Sequence, residues 1–288
     1  MPYDHRKIPT RASALAGALA ACAVLAGCGG ASQPPKAANA KATSSPTPAP
    51  TATPEPTRDK PRAARLLSGR TVVIDPGHNP DNVQHSREIN QKVDIGTTRK
   101  ECDTTGTSTN AGYTEAAFTL DVSHRLRDLL KAQGAKVVLT HDAERPYGPC
   151  IDERARIGNA ARADAVVSVH ADGSGTGNRG FHVILPARVA SGAANTSKIV
   201  GPSRTLGEAI ARHFALATGT APANYLGSGS GLDVRKDLGG LNLSTVPKVF
   251  VECGNMRDPK DAALLTDAAW RQKAAQGIAD GIGTYLKG

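Results

Sequence analysis

The chain has few aromatic residues and no run of basic residues interleaved with them: Phe, Tyr and Trp make up 3% of its 288 residues. Such a run would mark a nucleic-acid surface. Without it, and with the export features described below, nucleic acid is set aside as the partner of a net charge of +9. A basic balance favours other anionic surroundings, such as wall polymers or lipid head groups. Long hydrophobic runs are also lacking. The apolar stretch from Ala12 to Ala26 is too short, with its flanks, to span a membrane. There is no internal repeat, which excludes a repeat array, and nothing marks a second folded domain.

What is present begins with export. Arg6, Lys7 and Arg11 precede the Ala- and Leu-rich stretch, the charged and apolar regions of an export signal. It ends in Leu25-Ala26-Gly27-Cys28, which resembles the lipobox of bacterial lipoproteins. The resemblance implies cleavage before Cys28 and lipidation of its thiol. The alternative is an ordinary secretory signal cut nearby, giving a secreted or periplasmic protein. Residues 29–63 are Pro, Ala, Thr and Ser with few apolar side chains. Such a segment cannot bury enough surface to fold and reads as a tether, reaching about 100 Å at roughly 3 Å per residue if extended. The chain is therefore read as a signal over 1–28, a disordered tether over 29–63 and one folded α/β domain over 64–288. The expected location is the cell envelope, on the outer face of the cytoplasmic membrane, held by the Cys28 lipid. No interface is legible, so a monomer is expected.

Of five cysteines, Cys22 leaves with the signal and Cys28 is the anchor. Cys102 and Cys150 lie in polar, turn-rich stretches, and in an oxidising compartment they form a candidate disulfide. The alternative is two free thiols. Cys253 follows Glu252 on a strand and so points to the opposite face, as a small core residue.

Three apolar runs end alike. Thr71-Val-Val-Ile runs into Asp75-Pro-Gly-His78, Ala165-Val-Val-Ser-Val into His170-Ala-Asp-Gly, and Lys248-Val-Phe-Val into Glu252-Cys-Gly-Asn. Short apolar runs bounded by Gly or Pro read as buried strands. Each ends in one metal-competent or acid/base residue. Three parallel strands with these endings bring two imidazoles and a carboxylate to one sheet edge, the carboxyl edge where open α/β sheets bind ligands.

Between these runs, Asn79–Thr114 shows no apolar periodicity and reads as a long loop forming a wall or lid of the site, with His85 solvent-exposed. Thr114 is a good N-cap, and Phe118, Val122, Leu126, Leu129 and Leu130 recur at helical spacing up to Gly134. Glu115 falls in the first turn, where the helix dipole alone would favour a carboxylate. His124 lies off the apolar face and should be solvated. Lys136–Thr140 is the next strand, parallel to the first by the right-handed crossover rule. A helix is expected over Asp152–Ala163, a strand over Gly180–Leu185 with His182 structural, and a helix over Ser203–Ala217. Residues 186–202 and Tyr225–Leu243 read as irregular. A helical patch starts at Asp258-Pro259, and the last helix spans Ala268–Leu286. The fold class is one mostly parallel central sheet with helices on both faces.

His78, Glu115 and His170 form a His₂Glu set, which suits zinc and leaves a fourth position for water. Glu252, ending a strand on the same edge, is the natural general base. Asp75 is a candidate acceptor for a ligand imidazole, or simply a turn-stabilising Asp before Pro-Gly. Taken together, Asp75-Pro-Gly-His78, Glu115 at a helix start, Ser168-Val-His170-Ala and Val251-Glu252-Cys-Gly resemble the zinc-dependent N-acetylmuramoyl-L-alanine amidases of bacterial cell walls, the amidase-3 type. The likeness covers Leu66 to Leu286. It implies one Zn²⁺ held by His78, Glu115 and His170, with Glu252 catalytic. The substrate it implies is peptidoglycan or muropeptides, cut at the amide between the lactyl group of N-acetylmuramic acid and L-alanine of the stem peptide. His141 stands where the family usually shows Arg, and Asn255 where it usually has an aromatic. The metal set alone would equally serve a wall peptidase or a deacetylase. A non-catalytic wall-binding protein with structural zinc would normally show a fourth ligand, commonly cysteine.

Overall fold

The computed structural model describes residues 65–288. The export signal, the lipobox at Cys28 and the 29–63 tether lie outside the described residues. The strands are β1 (Thr71–Pro76), β2 (Lys92–Asp94), β3 (Arg99–Glu101), β4 (Lys136–Leu139), β5 (Ala165–Asp172), β6 (His182–Pro186), β7 (Ala190–Ser191), β8 (Ala194–Asn195), β9 (Leu232–Arg235) and β10 (Lys248–Asn255). The helices are α1 (Ser86–Ile89), α2 (Glu115–Ala132), α3 (Ile151–Ala160), α4 (Val200–Thr218), α5 (Gly239–Asn242), α6 (Pro259–Thr266) and α7 (Ala268–Lys287).

Six strands make the central sheet, in the order β4-β1-β5-β10-β6-β9. β1 runs parallel to β4 and β5, and β5 parallel to β10; β6 is antiparallel to β10 and parallel to β9. The crossover through α2 gives the parallel pairing that chain handedness requires. Alternation decides what each strand buries. Val72 and Ile74, Val167 and Val169, Val183 and Leu185, and Val249 and Val251 share one core with Phe118, Leu126, Phe214 and Ile278 from α2, α4 and α7. Burying each such side chain is worth about 1.5–3 kcal/mol. Cys253 joins this core, 1% exposed, as expected of the residue after Glu252. The other face carries Val73 and Val166 under α3 and a polar row: Asp75, Ser168, His170, Lys248, Glu252.

Local signals act as read. The Thr114 hydroxyl accepts from Ala117 N–H at the start of α2, and Asp258 caps α6 with Pro259 in its first turn. The long loop is corrected in part. Residues 79–114 hold a 3₁₀ turn, α1 and the β2–β3 hairpin, elements too short for periodicity to reveal. The irregular stretch 225–243 likewise contains β9 and α5. The Cys102–Cys150 disulfide is formed and bridges residues 48 apart. It ties the segment after β3 to the residue that precedes α3.

Candidate metal centre

His78 sits on the turn after β1, Glu115 at the first position of α2 and His170 near the end of β5. One donor atom from each lies within 4.8 Å of the other two. Glu115 Oε2 is 3.1 Å from His78 Nε2, and its Oε1 is 3.0 Å from His170 Nδ1. The carboxylate is itself held in place: Oε2 accepts from Thr107 N–H (2.9 Å) and Oε1 from Ala171 N–H (3.2 Å). On His78, Nδ1 donates to the Thr104 carbonyl at 3.0 Å, so the Nε2 lone pair is the one left for a metal. The segment expected to wall the site does so through Thr104, Gly106 and Thr107.

Two glycines make room. A Cβ on Gly77 would stand 2.3 Å from His170 Cε1, and one on Gly106 2.8 Å from both Glu115 Oε2 and His78 Cδ2. Gly106 also has φ +72°, a conformation glycine adopts freely. His170 stacks on Phe250, with ring centroids 5.1 Å apart and planes 19° apart.

The electrostatics fit a cation. Burial works against the Glu115 charge, but the two imidazoles outweigh it and hold the carboxyl well below the usual range. Burial lowers His78 too, yet Glu115, Asp103 and the Thr104 carbonyl raise it to about 9. A proton is thus drawn to the place between imidazole and carboxylate where a divalent cation would be drawn more strongly. A donor set of two imidazoles and one carboxylate, with no thiolate, matches zinc.

Glu252 borders the same cleft, whose volume is about 270 Å³ and whose walls include His78, Glu115, His170, Asp172 and Arg235. Its Oε2 has no hydrogen-bond partner among the described residues. Burial, then the charges of Glu115 and Asp172, push its carboxyl well above the usual range, with Arg235 opposing. A second cavity of about 180 Å³ adjoins the two imidazoles and is lined by Lys100, Asp103, Arg154, Leu238 and Phe250.

The Asp75 reading is corrected. Asp75 accepts from Thr140, Arg154, Ser168 and Lys248 and from neither His78 nor His170. Those partners, Lys248 and Arg154 above all, outweigh burial and keep it strongly acidic. The acceptor for His78 is Thr104. His141 donates to the Pro76 carbonyl (3.0 Å). The Asn255 amide fastens the carbonyls of Ser174, Gly175 and Asn178, a job an aromatic could not do. His124 is half-exposed but pairs with Asp142. Lys248 and Phe250 went unnoticed in the sequence, although period two places both on the face of Glu252.

A family model described as N-acetylmuramoyl-L-alanine amidase matches residues 72–284. An N-acetylmuramoyl-L-alanine amidase of Mycobacterium tuberculosis is 41% identical over 221 residues, 76% of this chain and 88% of the relative. The crystal structure of an N-acetylmuramyl-L-alanine amidase of Mycobacterium smegmatis superposes with a TM-score of 0.70 at 39% identity, covering 76% of this chain and 98% of that one. Its counterpart from Mycobacterium abscessus gives 0.69 at 40% identity, covering 76% and 100%. With that match over most of its length, this chain belongs to the amidase-3 family of N-acetylmuramoyl-L-alanine amidases, hydrolases of peptidoglycan.

Proposed function

We propose that His78, Glu115 and His170 hold one Zn²⁺ and that Glu252 is the general base and acid for hydrolysis of the bond between the muramic acid lactyl group and L-alanine. The observation that carries this reading is the convergence of two imidazoles and a carboxylate within 4.8 Å, with Glu252 in the wall of the same cleft. Zinc in such a site supplies Lewis acidity toward the amide carbonyl and brings the pKa of water to about 7.

The chain's own residues do the rest. Glu252 takes the proton of the attacking water as the lactyl carbonyl becomes tetrahedral, then returns it to the alanine nitrogen as the C–N bond breaks. A carboxyl pushed above its ordinary range suits both halves, because it holds the proton between them. Phe250, stacked on His170, keeps that imidazole from turning out of the site. Export, Cys28 lipidation and the 29–63 tether would place this domain on the outer face of the cytoplasmic membrane, within reach of the wall. The enzyme acts as a monomer on this reading.

Mass spectrometry of products from purified protein and muropeptides, with and without a chelator, tests the assignment. The expected products are intact stem peptides with a free L-alanine amino terminus, lost on chelation and restored by zinc. Cleavage within the stem peptide, or release of acetate, would refute the bond assignment. Chelator-resistant cleavage would refute the metal.

A further inference from the structure

We propose that Arg154 is a positioning residue that sets the geometry of the metal ligand His78, acting with Asp103. The inference rests on the reading of His78 as a ligand.

His78 is not a relaxed residue. Its φ is +62°, in the left-handed region that a non-glycine residue occupies only under strain, so the surroundings must over-determine it. Arg154, on α3 and 4% exposed, supplies that determination. A guanidinium has five N–H donors, and here five acceptors meet them. Nε donates to the Pro149 carbonyl (2.8 Å), Nη1 to Asp75 Oδ1 (2.9 Å) and the Pro76 carbonyl (2.5 Å), and Nη2 to the His78 carbonyl (3.0 Å) and Asp103 Oδ2 (2.9 Å). Two of these bonds grip the turn that carries His78 from within its own backbone.

The other grip is on the imidazole. Asp103, fixed by Arg154, stands 3.7 Å from His78 Nδ1 and accepts the Thr104 N–H at 2.8 Å. Thr104 offers its carbonyl to Nδ1. Asn82 locks the same pair, donating to Asp103 Oδ2 (3.0 Å) and to the Thr104 carbonyl (2.8 Å). One guanidinium therefore fixes both the main chain of His78 and the acceptor that sets its tautomer. The planar fork is what the arrangement needs. A lysine would keep the charge and lose the simultaneous reach.

The test is zinc affinity, measured by competition with a chelating indicator on purified, folded protein, with kcat and KM at saturating zinc. Arg154→Lys and Asp103→Asn should each raise the zinc Kd about 10–100-fold. They should also lower kcat at saturating zinc while leaving KM near wild type. A purely structural role predicts lower thermal stability with unchanged zinc affinity of the folded protein. Val167→Ala, a core change on the opposite sheet face, supplies that comparison: reduced Tm, unchanged zinc Kd. If Arg154→Lys does not fold, Asp103→Asn decides, since it keeps the shape and removes the charge that Arg154 holds beside Nδ1. Wild-type zinc affinity in Asp103→Asn overturns the proposal, whether or not Arg154→Lys can be measured. His78→Ala separates the two layers of inference. If His78→Ala itself binds zinc normally, the ligand reading has failed and the positioning role with it. If His78→Ala loses zinc while the two variants keep it, only the positioning role has failed.

Discussion

Replacing Gly77 by alanine adds one methyl group where the structure has the least room beside the candidate metal centre. The new Cβ would stand 2.3 Å from His170 Cε1 and 2.6 Å from each ring nitrogen. Ordinary carbon contacts lie near 3.5–4.0 Å, so the ring must retreat by about 1 Å. It cannot slide freely, because Phe250 stacks on it and Glu115 holds its Nδ1. Metal–ligand distances tolerate about 0.2 Å, so the displacement exceeds the tolerance several-fold. Gly77 does not have a positive φ, and alanine adds no backbone strain there; the effect is confined to the imidazole. Gly77→Ala should fold, keep a Tm within a few degrees of wild type and weaken zinc at least as much as loss of a supporting contact does, about 10–100-fold. Chelator competition and circular dichroism on one sample measure both. Wild-type zinc affinity and turnover in a folded Gly77→Ala protein would refute the placement of His170 in the ligand set.

Three further outcomes are expected. Glu252→Ala should retain zinc at wild-type affinity yet lose about 10²–10⁴-fold in kcat, read from bound metal and product formation; near-normal turnover would remove Glu252 from the mechanism. Replacing Cys102 and Cys150 together by serine releases a loop of 48 residues and should cost about 4 kcal/mol in the chain-entropy model, read from urea unfolding; an unchanged midpoint would refute it. Asp75 is kept strongly acidic in the folded state by Lys248 and Arg154, against an unfolded value of about 3.9. Its contribution is complete above that value and drains away as pH falls below it. Urea midpoints should therefore drop between about pH 4 and 2. Asp75→Asn leaves the buried Lys248 ammonium without its carboxylate, while Arg154 keeps Asp103; it should unfold more easily at pH 7 by about 3–5 kcal/mol and show a flatter acid limb. An equally steep acid limb in Asp75→Asn would count against it.

Much of the candidate site was legible because its parts are written locally. An apolar run stopped by Asp-Pro-Gly tells where β1 ends and therefore where His78 falls. A Thr before a periodic stretch locates the N-terminus of α2, and with it Glu115. Alternation put Cys253 in the core and Glu252 on the other face. The disulfide followed from compartment and composition. The relatives and the fold agree with the family that these motifs suggested.

What stayed hidden depends on groups far apart in the chain. Arg154 fell within a helix read over Asp152–Ala163 with no role assigned to it, and Asp75 read as a turn former or an acceptor for a ligand imidazole. Only the strand order brings β10 beside β5 and β5 beside β1, so that Lys248 reaches Asp75 across 173 positions and Arg154 reaches it across 79. The acceptor for His78 Nδ1 comes from residue 104, on a segment without periodicity whose short elements leave no repeating pattern in the sequence. Turn chemistry and side-chain period act between neighbours, and they sufficed to locate β1, β4, β5, β6 and β10, the capped helices and the chemical groups at their ends, while β2, β3 and β9 escaped them. The tertiary structure alone decided which donor meets which acceptor, because a buried charge is satisfied by whatever the topology sets beside it.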